Sequence, residues 1–128
     1  MKHHVLILDD EADVRTAIRL QLRDTRFEIL EAGNVEQAID LLSDNPISID
    51  VIICDVRMPG VSGVEAVATF QREYPTTPVI VLTGFPDVGL AVDFMKQQDV
   101  VEYLTKPVEK DKLISAVEQA ALGRKLFE

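Results

Sequence analysis

The chain predicts an α/β fold: a five-stranded parallel sheet with five helices covering both faces. Three observations carry that expectation. Short apolar, β-branched segments recur along the chain without polar alternation, as strands buried on both faces do. Between them the apolar spacing changes to three and four, the period of an amphipathic helix. Short turns join the two kinds of element, an alternation that favours parallel strands with right-handed crossovers. For five such strands, order 2-1-3-4-5 is the common solution, with its switch point between the first and third strands.

The first strand is read over His4 to Leu8, HVLIL, and stops at the pair Asp9-Asp10. Ala12 opens the first helix, with Val14, Ala17, Ile18 and Leu22 on one face and Arg15, Arg19 and Arg23 on another. Phe27 to Leu30 makes a shorter second strand. Asn34 followed by Gln37 has the form of a capping box, ahead of a second helix that turns Val35, Ala38, Ile39 and Leu42 inward and runs to about Asp44. Asn45-Pro46 breaks it. The stretch IDVIICDVRMPG then supplies the third strand, whose apolar run Val51 to Cys54 ends at Asp55, and Pro59-Gly60 forbids its continuation.

Ser62 and Glu65 pair as a second capping box for a third helix that faces Val64, Val67 and Ala68 inward and runs to Tyr74 before Pro75. Pro78 to Leu82, PVIVL, is the fourth strand and ends at Thr83-Gly84. Asp87 caps a fourth helix with Val88, Ala91, Val92 and Met95 on its inner face and Leu90 and Phe94 off it. Val100 to Leu104 is the fifth strand, ending at Thr105-Lys106-Pro107. Leu113, Ile114, Val117, Ala120 and Ala121 build a last helix that Gly123 is placed to terminate.

Composition narrows the function. A chain of 128 residues makes one ordinary domain, residues 1–128, able to bury about two-thirds of its unfolded surface. The single cysteine, Cys54, cannot pair within the chain and reads as a small core residue, which suits a reducing cytosol. The polar start, Met1 to His4, leads into an apolar segment too short for a signal sequence or a membrane span, so a soluble cytoplasmic protein is expected. Adjacent His3 and His4 point to opposite faces of a strand and cannot readily share one metal ion. A net charge of -9 repels nucleic acid phosphates over any broad surface.

The chemistry gathers at the strand ends. An isolated aspartate before Pro-Gly is most simply a turn opener, but strands one, three, four and five end in Asp9-Asp10, Asp55, Thr83 and Lys106, all on one sheet edge. Three converging carboxylates repel, and without compensation one of them takes up a proton. A divalent cation resolves this. With only hard oxygen ligands on offer, Mg²⁺ fits better than zinc, and Mn²⁺ is an acceptable substitute. A carboxylate beside a metal, a hydroxyl and an ammonium suits a phosphoryl acceptor, and Asp55 is best placed for it. Lys106 and the metal would neutralise the transferring group while Thr83 donates a hydrogen bond to it.

Asp9-Asp10-Glu11 after strand one, D-x-R-M-P-G from Asp55 after strand three, Thr83-Gly84 after strand four and Lys106-Pro107 after strand five together resemble the receiver domain of bacterial two-component response regulators. The resemblance covers essentially the whole chain and implies the flavodoxin-like receiver fold. It implies that Asp55 is phosphorylated from the phosphohistidine of a sensor histidine kinase or phosphotransfer protein. Asp10 and Asp55 would then ligate Mg²⁺ directly, Asp9 largely through water, and the main-chain carbonyl of Arg57 would add a further ligand. Thr83 and Tyr103 match the family's switch pair, and Lys106-Pro107 is expected to be a cis peptide. The domain would signal rather than turn over a substrate, with at most self-phosphorylation and self-dephosphorylation.

By the same resemblance, the output is a change of the face made by helix four, strand five and helix five. Leu90 and Phe94 lie near that face, which is also a candidate homodimer surface. Arg57 and Phe85 are placed to flank the path of water toward the acyl phosphate, and bulky Phe85 is expected to slow hydrolysis. Gln97-Gln98-Asp99 replaces the glycine that often ends helix four in the family. The helix-one arginines read most simply as a solvated face, with kinase docking near that helix the family-based alternative. TGFPDVGLAVDFMK is most similar to receivers of nitrogen-regulatory-type activators, and the apolar Leu126 and Phe127 favour a longer parent with an effector domain over a stand-alone regulator. Two other classes compete. A haloacid dehalogenase-type phosphatase also forms an aspartyl phosphate but carries its nucleophile in a D-x-D motif after strand one. A flavodoxin-like electron carrier would need a hydroxyl- and amide-rich loop there instead of acids.

Overall fold

The computed structural model describes residues 3–44, 49–55, 57–58, 61–84, 96 and 100–126. In chain order the elements are β1 (His3–Leu8), α1 (Ala12–Gln21), β2 (Phe27–Ala32), α2 (Val35–Asp44), β3 (Ile49–Asp55), β4 (Arg57–Met58), β5 (Val61–Ser62), α3 (Gly63–Glu73), β6 (Val79–Thr83), β7 (Val100–Thr105) and α4 (Lys110–Leu126). Five strands form one parallel sheet in the order β2-β1-β3-β6-β7, the expected 2-1-3-4-5 arrangement. β4 and β5 pair antiparallel, Arg57 with Ser62 and Met58 with Val61, where the sequence indicated no strand.

The sheet is dry on both sides because the middles of its central strands, residues 5–8, 51–54 and 79–82, are apolar throughout and buried, with polar residues only toward the strand ends. In β3, Ile52 and Cys54 enter one layer with Ala38 and Leu42 of α2 and Ala66, Val67 and Phe70 of α3. Val51 and Ile53 enter the other layer with Ile18 of α1 and Leu113, Ala116, Val117, Ala120 and Ala121 of α4. Each fully buried Leu, Ile or Phe side chain removed from water contributes about 1.5–3 kcal/mol. The register of β1 against β3 shifts near Asp50: His4 pairs with Ile49 and Val5 with Val51. The Asp50 carboxylate accepts the His4 main-chain N–H at 3.0 Å.

Several local expectations are corrected. Ala17 and Ala68 are exposed; each lies at the margin of its helix's apolar stripe, and in α3 Phe70 fills the core instead. Gly123 does not end the last helix, which runs on to Leu126: its φ is not positive, so no left-handed turn forms there. The Asn34 capping box closes one residue early, since Gln37 N–H donates to Asn34 Oδ1 at 2.8 Å while Gln37 Oε1 accepts from Gly33 N–H at 2.8 Å. Among the described residues there are four helices, none long and apolar enough to cross a membrane. The helix expected from Asp87, with Leu90 and Phe94, lies outside the described residues, as do Phe85 and Gln97-Gln98-Asp99.

Candidate functional site

Strand register brings the acids together. Leu8 pairs with Cys54, so the next residues along β1 and β3, Asp9 and Asp55, leave the sheet side by side. Asp55 pairs with Leu82, so Thr83 follows one step beyond it on β6, and Thr83 pairs with Thr105, after which comes Lys106. The Lys106 N–H donates to the Thr83 carbonyl at 2.7 Å, extending the β6–β7 ladder as far as the lysine. The Lys106-Pro107 peptide is cis, as expected.

One carboxylate oxygen from each of Asp9, Asp10 and Asp55 lies within 4.8 Å of the others. Asp9, Asp55 and Thr83 are buried, while Asp10 is exposed. The Lys106 ammonium donates to Asp9 Oδ2 at 2.8 Å and to Asp55 Oδ2 at 3.4 Å, so its shorter bond is to Asp9 and not to the proposed acceptor. Asp9 Oδ1 accepts the Glu11 N–H at 2.9 Å, which folds the acidic turn back on itself at the start of α1. Burial alone would lower the Lys106 pKa, but the hydrogen bond and charge of Asp9, with those of Asp55, outweigh it and raise the value above its usual 10.5. A group raised in this way stabilises the fold fully below its unfolded pKa, and that contribution is lost only as pH climbs through the folded value. Lys106 therefore holds its charge across the neutral range.

Among the described residues, the three neighbouring carboxylates face the single positive charge of Lys106. An oxygen-only set of this kind, its members within 4.8 Å of one another, suits a small hard cation such as Mg²⁺. Cys54 offers no competing thiolate. Burial, reinforced by the charges of Asp55 and Asp9, pushes its thiol far above the ordinary value, and it packs in the core layer under α2 and α3. Arg57 opens β4 two residues past Asp55, and Tyr103, on β7, packs partly buried against that same core layer. A groove of about 340 Å³ beside it is lined by Tyr103, Thr105, Pro107, Val108, Glu109 and Lys112.

Arg15 and Arg19 do not form the simple solvated face expected of them. Arg15 Nη1 donates to the Asp9 carbonyl at 2.6 Å and its Nε to Glu31 Oε1 at 3.1 Å, while Arg19 donates to Glu31 Oε2 at 2.8 and 2.6 Å. Sequence reading passed over Glu31, because nothing in a strand-end glutamate signals its partners; the level pairing of β1 with β2, Ile7 with Glu31, is what carries it to the site. His3 and His4 point apart, His3 toward Asp50 and His4 toward Glu28, and form no shared metal site.

Residues 5–118 match the response regulator receiver domain family. The chain is 32% identical over 119 residues to the transcriptional regulatory protein FixJ of Bradyrhizobium diazoefficiens, covering 93% of this chain and 57% of that protein. It is 34% identical over 124 residues to a putative response regulator, NtrX-like, of Rickettsia typhi, covering 95% of this chain and 26% of the relative. It thus spans between a quarter and three-fifths of these regulators. Among solved structures, a response regulator receiver domain protein from Clostridium thermocellum superposes with a TM-score of 0.90 at 32% identity, over 98% of this chain and 99% of that one. Family, fold and the likeness to nitrogen-regulatory-type receivers agree, and against the phosphatase and electron-carrier alternatives the chain belongs to the response regulator receiver domain family.

Proposed function

We propose that residues 1–128 are one receiver domain in which Asp55 accepts a phosphoryl group from the phosphohistidine of a sensor histidine kinase or phosphotransfer protein. A new O–P bond forms to Asp55 as the donor's P–N bond breaks, its electron pair returning to the imidazole. The observation that carries this reading is the gathering of Asp9, Asp10 and Asp55 within 4.8 Å, with Lys106 bonded to the two buried members. Asp10, Asp55 and the Arg57 carbonyl would hold Mg²⁺ directly, with Asp9 largely through water and Mn²⁺ able to substitute. The ion would supply charge neutralisation at the phosphoryl oxygens. Asp9, already committed to Glu11 N–H and Lys106, supports its outer place in that set.

Lys106 stays protonated and exchanges part of its hold on Asp9 for the incoming phosphoryl oxygens. The Thr83 hydroxyl donates to the same group and leaves room behind it for Tyr103 to turn inward. The face carrying β7, α4 and the helix expected from Asp87 then changes shape, and the groove beside Tyr103 supports that location. The added charge of about -1.5 to -2 is sufficient to bias a two-state element. Output passes to an effector domain in a longer cytoplasmic parent, or to a second copy through the same face, and the domain's own chemistry is limited to self-phosphorylation and self-dephosphorylation. The length of the relatives supports the first route. The test is phosphoryl transfer from acetyl phosphate or a phosphorylated kinase with and without chelator: Mg²⁺-dependent, stoichiometric labelling is expected, and labelling that survives EDTA would contradict the proposal.

A further inference from the structure

The turn between β1 and α1 is held from an unexpected direction. The Asp9 N–H donates to the Ala32 carbonyl at 3.1 Å, and the Asp9 carbonyl accepts from Arg15 Nη1 at 2.6 Å. That carbonyl belongs to the same planar unit as the Asp10 N–H. Fixing both groups of Asp9 therefore fixes the plane from which the Asp10 side chain departs. Asp10 needs such a constraint, because its exposed carboxylate is held by no described residue and yet lies within 4.8 Å of the Asp9 and Asp55 carboxylates. The guanidinium is itself locked, with Nε on Glu31 Oε1 while Arg19 occupies Glu31 Oε2. The guanidinium donates to the carbonyl and the carboxylate from two separate nitrogens held in one rigid plane; a lysine ammonium carries its donors on a single nitrogen at the end of a flexible stem and does not preorganise the two directions.

We propose that Arg15, clamped by Glu31, is a positioning residue for the metal site: it orients the Asp9-Asp10 peptide so that Asp10 meets the cation without reorganisation. This inference rests on the magnesium reading given above. Groups one step behind the ligands set ligand geometry, and their loss typically weakens metal binding by about 10- to 100-fold. Removing a positive charge near three acids would by itself tighten cation binding, so geometry and electrostatics predict opposite signs.

The experiment is calorimetric Mg²⁺ titration of the wild-type protein, R15M, R15K, E31Q, R15M/E31Q and D10N, with unfolding midpoints measured in EDTA to establish that each variant is folded. Wild type is expected to bind and D10N to bind far more weakly. R15M is expected to lose about tenfold in affinity, and R15K, which keeps the charge, to lose nearly as much. E31Q should lose less, and R15M/E31Q no more than R15M alone. In acetyl phosphate labelling, the half-saturating Mg²⁺ concentration should rise while the maximal rate at saturating Mg²⁺ is kept. An unchanged or tightened Mg²⁺ affinity in folded R15M and R15K would overturn the proposal. If R15M does not fold, R15K and E31Q binding like wild type would overturn it equally. A wild-type protein that binds no Mg²⁺ would instead refute the magnesium reading, and this inference with it.

Discussion

The two ends of the sheet use the same residue types to opposite effect. At the amino end of the strands, Asp50 accepts the His4 N–H and faces His3, while Glu28 faces the His4 imidazole, so each carboxylate has its own partner. At the carboxyl end three carboxylates crowd together around one lysine. The first arrangement is spent on closing the ends of the ladder. Among the described residues the second sets three carboxylates against the Lys106 ammonium, an excess of negative charge that favours a divalent cation, and the bound cation in turn would offset the charge of an incoming phosphoryl group.

That contrast breaks most sharply at Asp55. Asp55→Asn keeps the shape of the buried site and removes the nucleophile, and it should abolish acetyl phosphate labelling as followed by intact mass; persistent stoichiometric labelling would end the assignment. Asp10→Asn, which removes a direct ligand, should weaken Mg²⁺ binding by more than the about tenfold expected of R15M and yet slightly stabilise the metal-free protein. Relief of like-charge repulsion has that sign, and because Asp10 is exposed the gain should stay under about 1 kcal/mol. Urea unfolding in EDTA measures it. Asp50→Ala, at the opposite end, should do the reverse and lose about 1–2 kcal/mol by leaving the His4 N–H without its acceptor. Glu28→Gln should be smallest: that pair is half exposed and is worth at most about 0.5 kcal/mol. If Asp10→Asn and Asp50→Ala shift stability in the same direction, the distinction between the two edges is wrong.

The features legible from sequence were those that local chemistry dictates. Val51 to Cys54 announced a strand buried on both faces, and with Asp9, Thr83 and Lys106 at matching strand ends the order of the sheet placed the site. Long-range partners were hidden. Nothing in the pattern says that Arg15 reaches back past the start of α1 to the Asp9 carbonyl, or that Glu31 waits beside it, since an arginine every fourth residue looks identical whether it is solvated or engaged. Nor does it say that Lys106 bonds more closely to Asp9 than to Asp55, which depends on where three side chains end and not on their spacing. Small residues misled as well. Ala17 and Ala68 fit the helical period but bury too little surface to fix which way a stripe faces, whereas Phe70 settles it for α3. Gly123 shows the same limit, because a glycine permits a helix end without requiring one.

The most direct test of the central claim is to find where the phosphoryl group resides. After incubation with acetyl phosphate and Mg²⁺, borohydride reduction converts an aspartyl phosphate to homoserine, and peptide sequencing by mass spectrometry locates it. The account predicts homoserine at position 55 alone, and none when Mg²⁺ is chelated. Homoserine at position 9 or 10, or an unchanged residue 55 in fully phosphorylated protein, would contradict it.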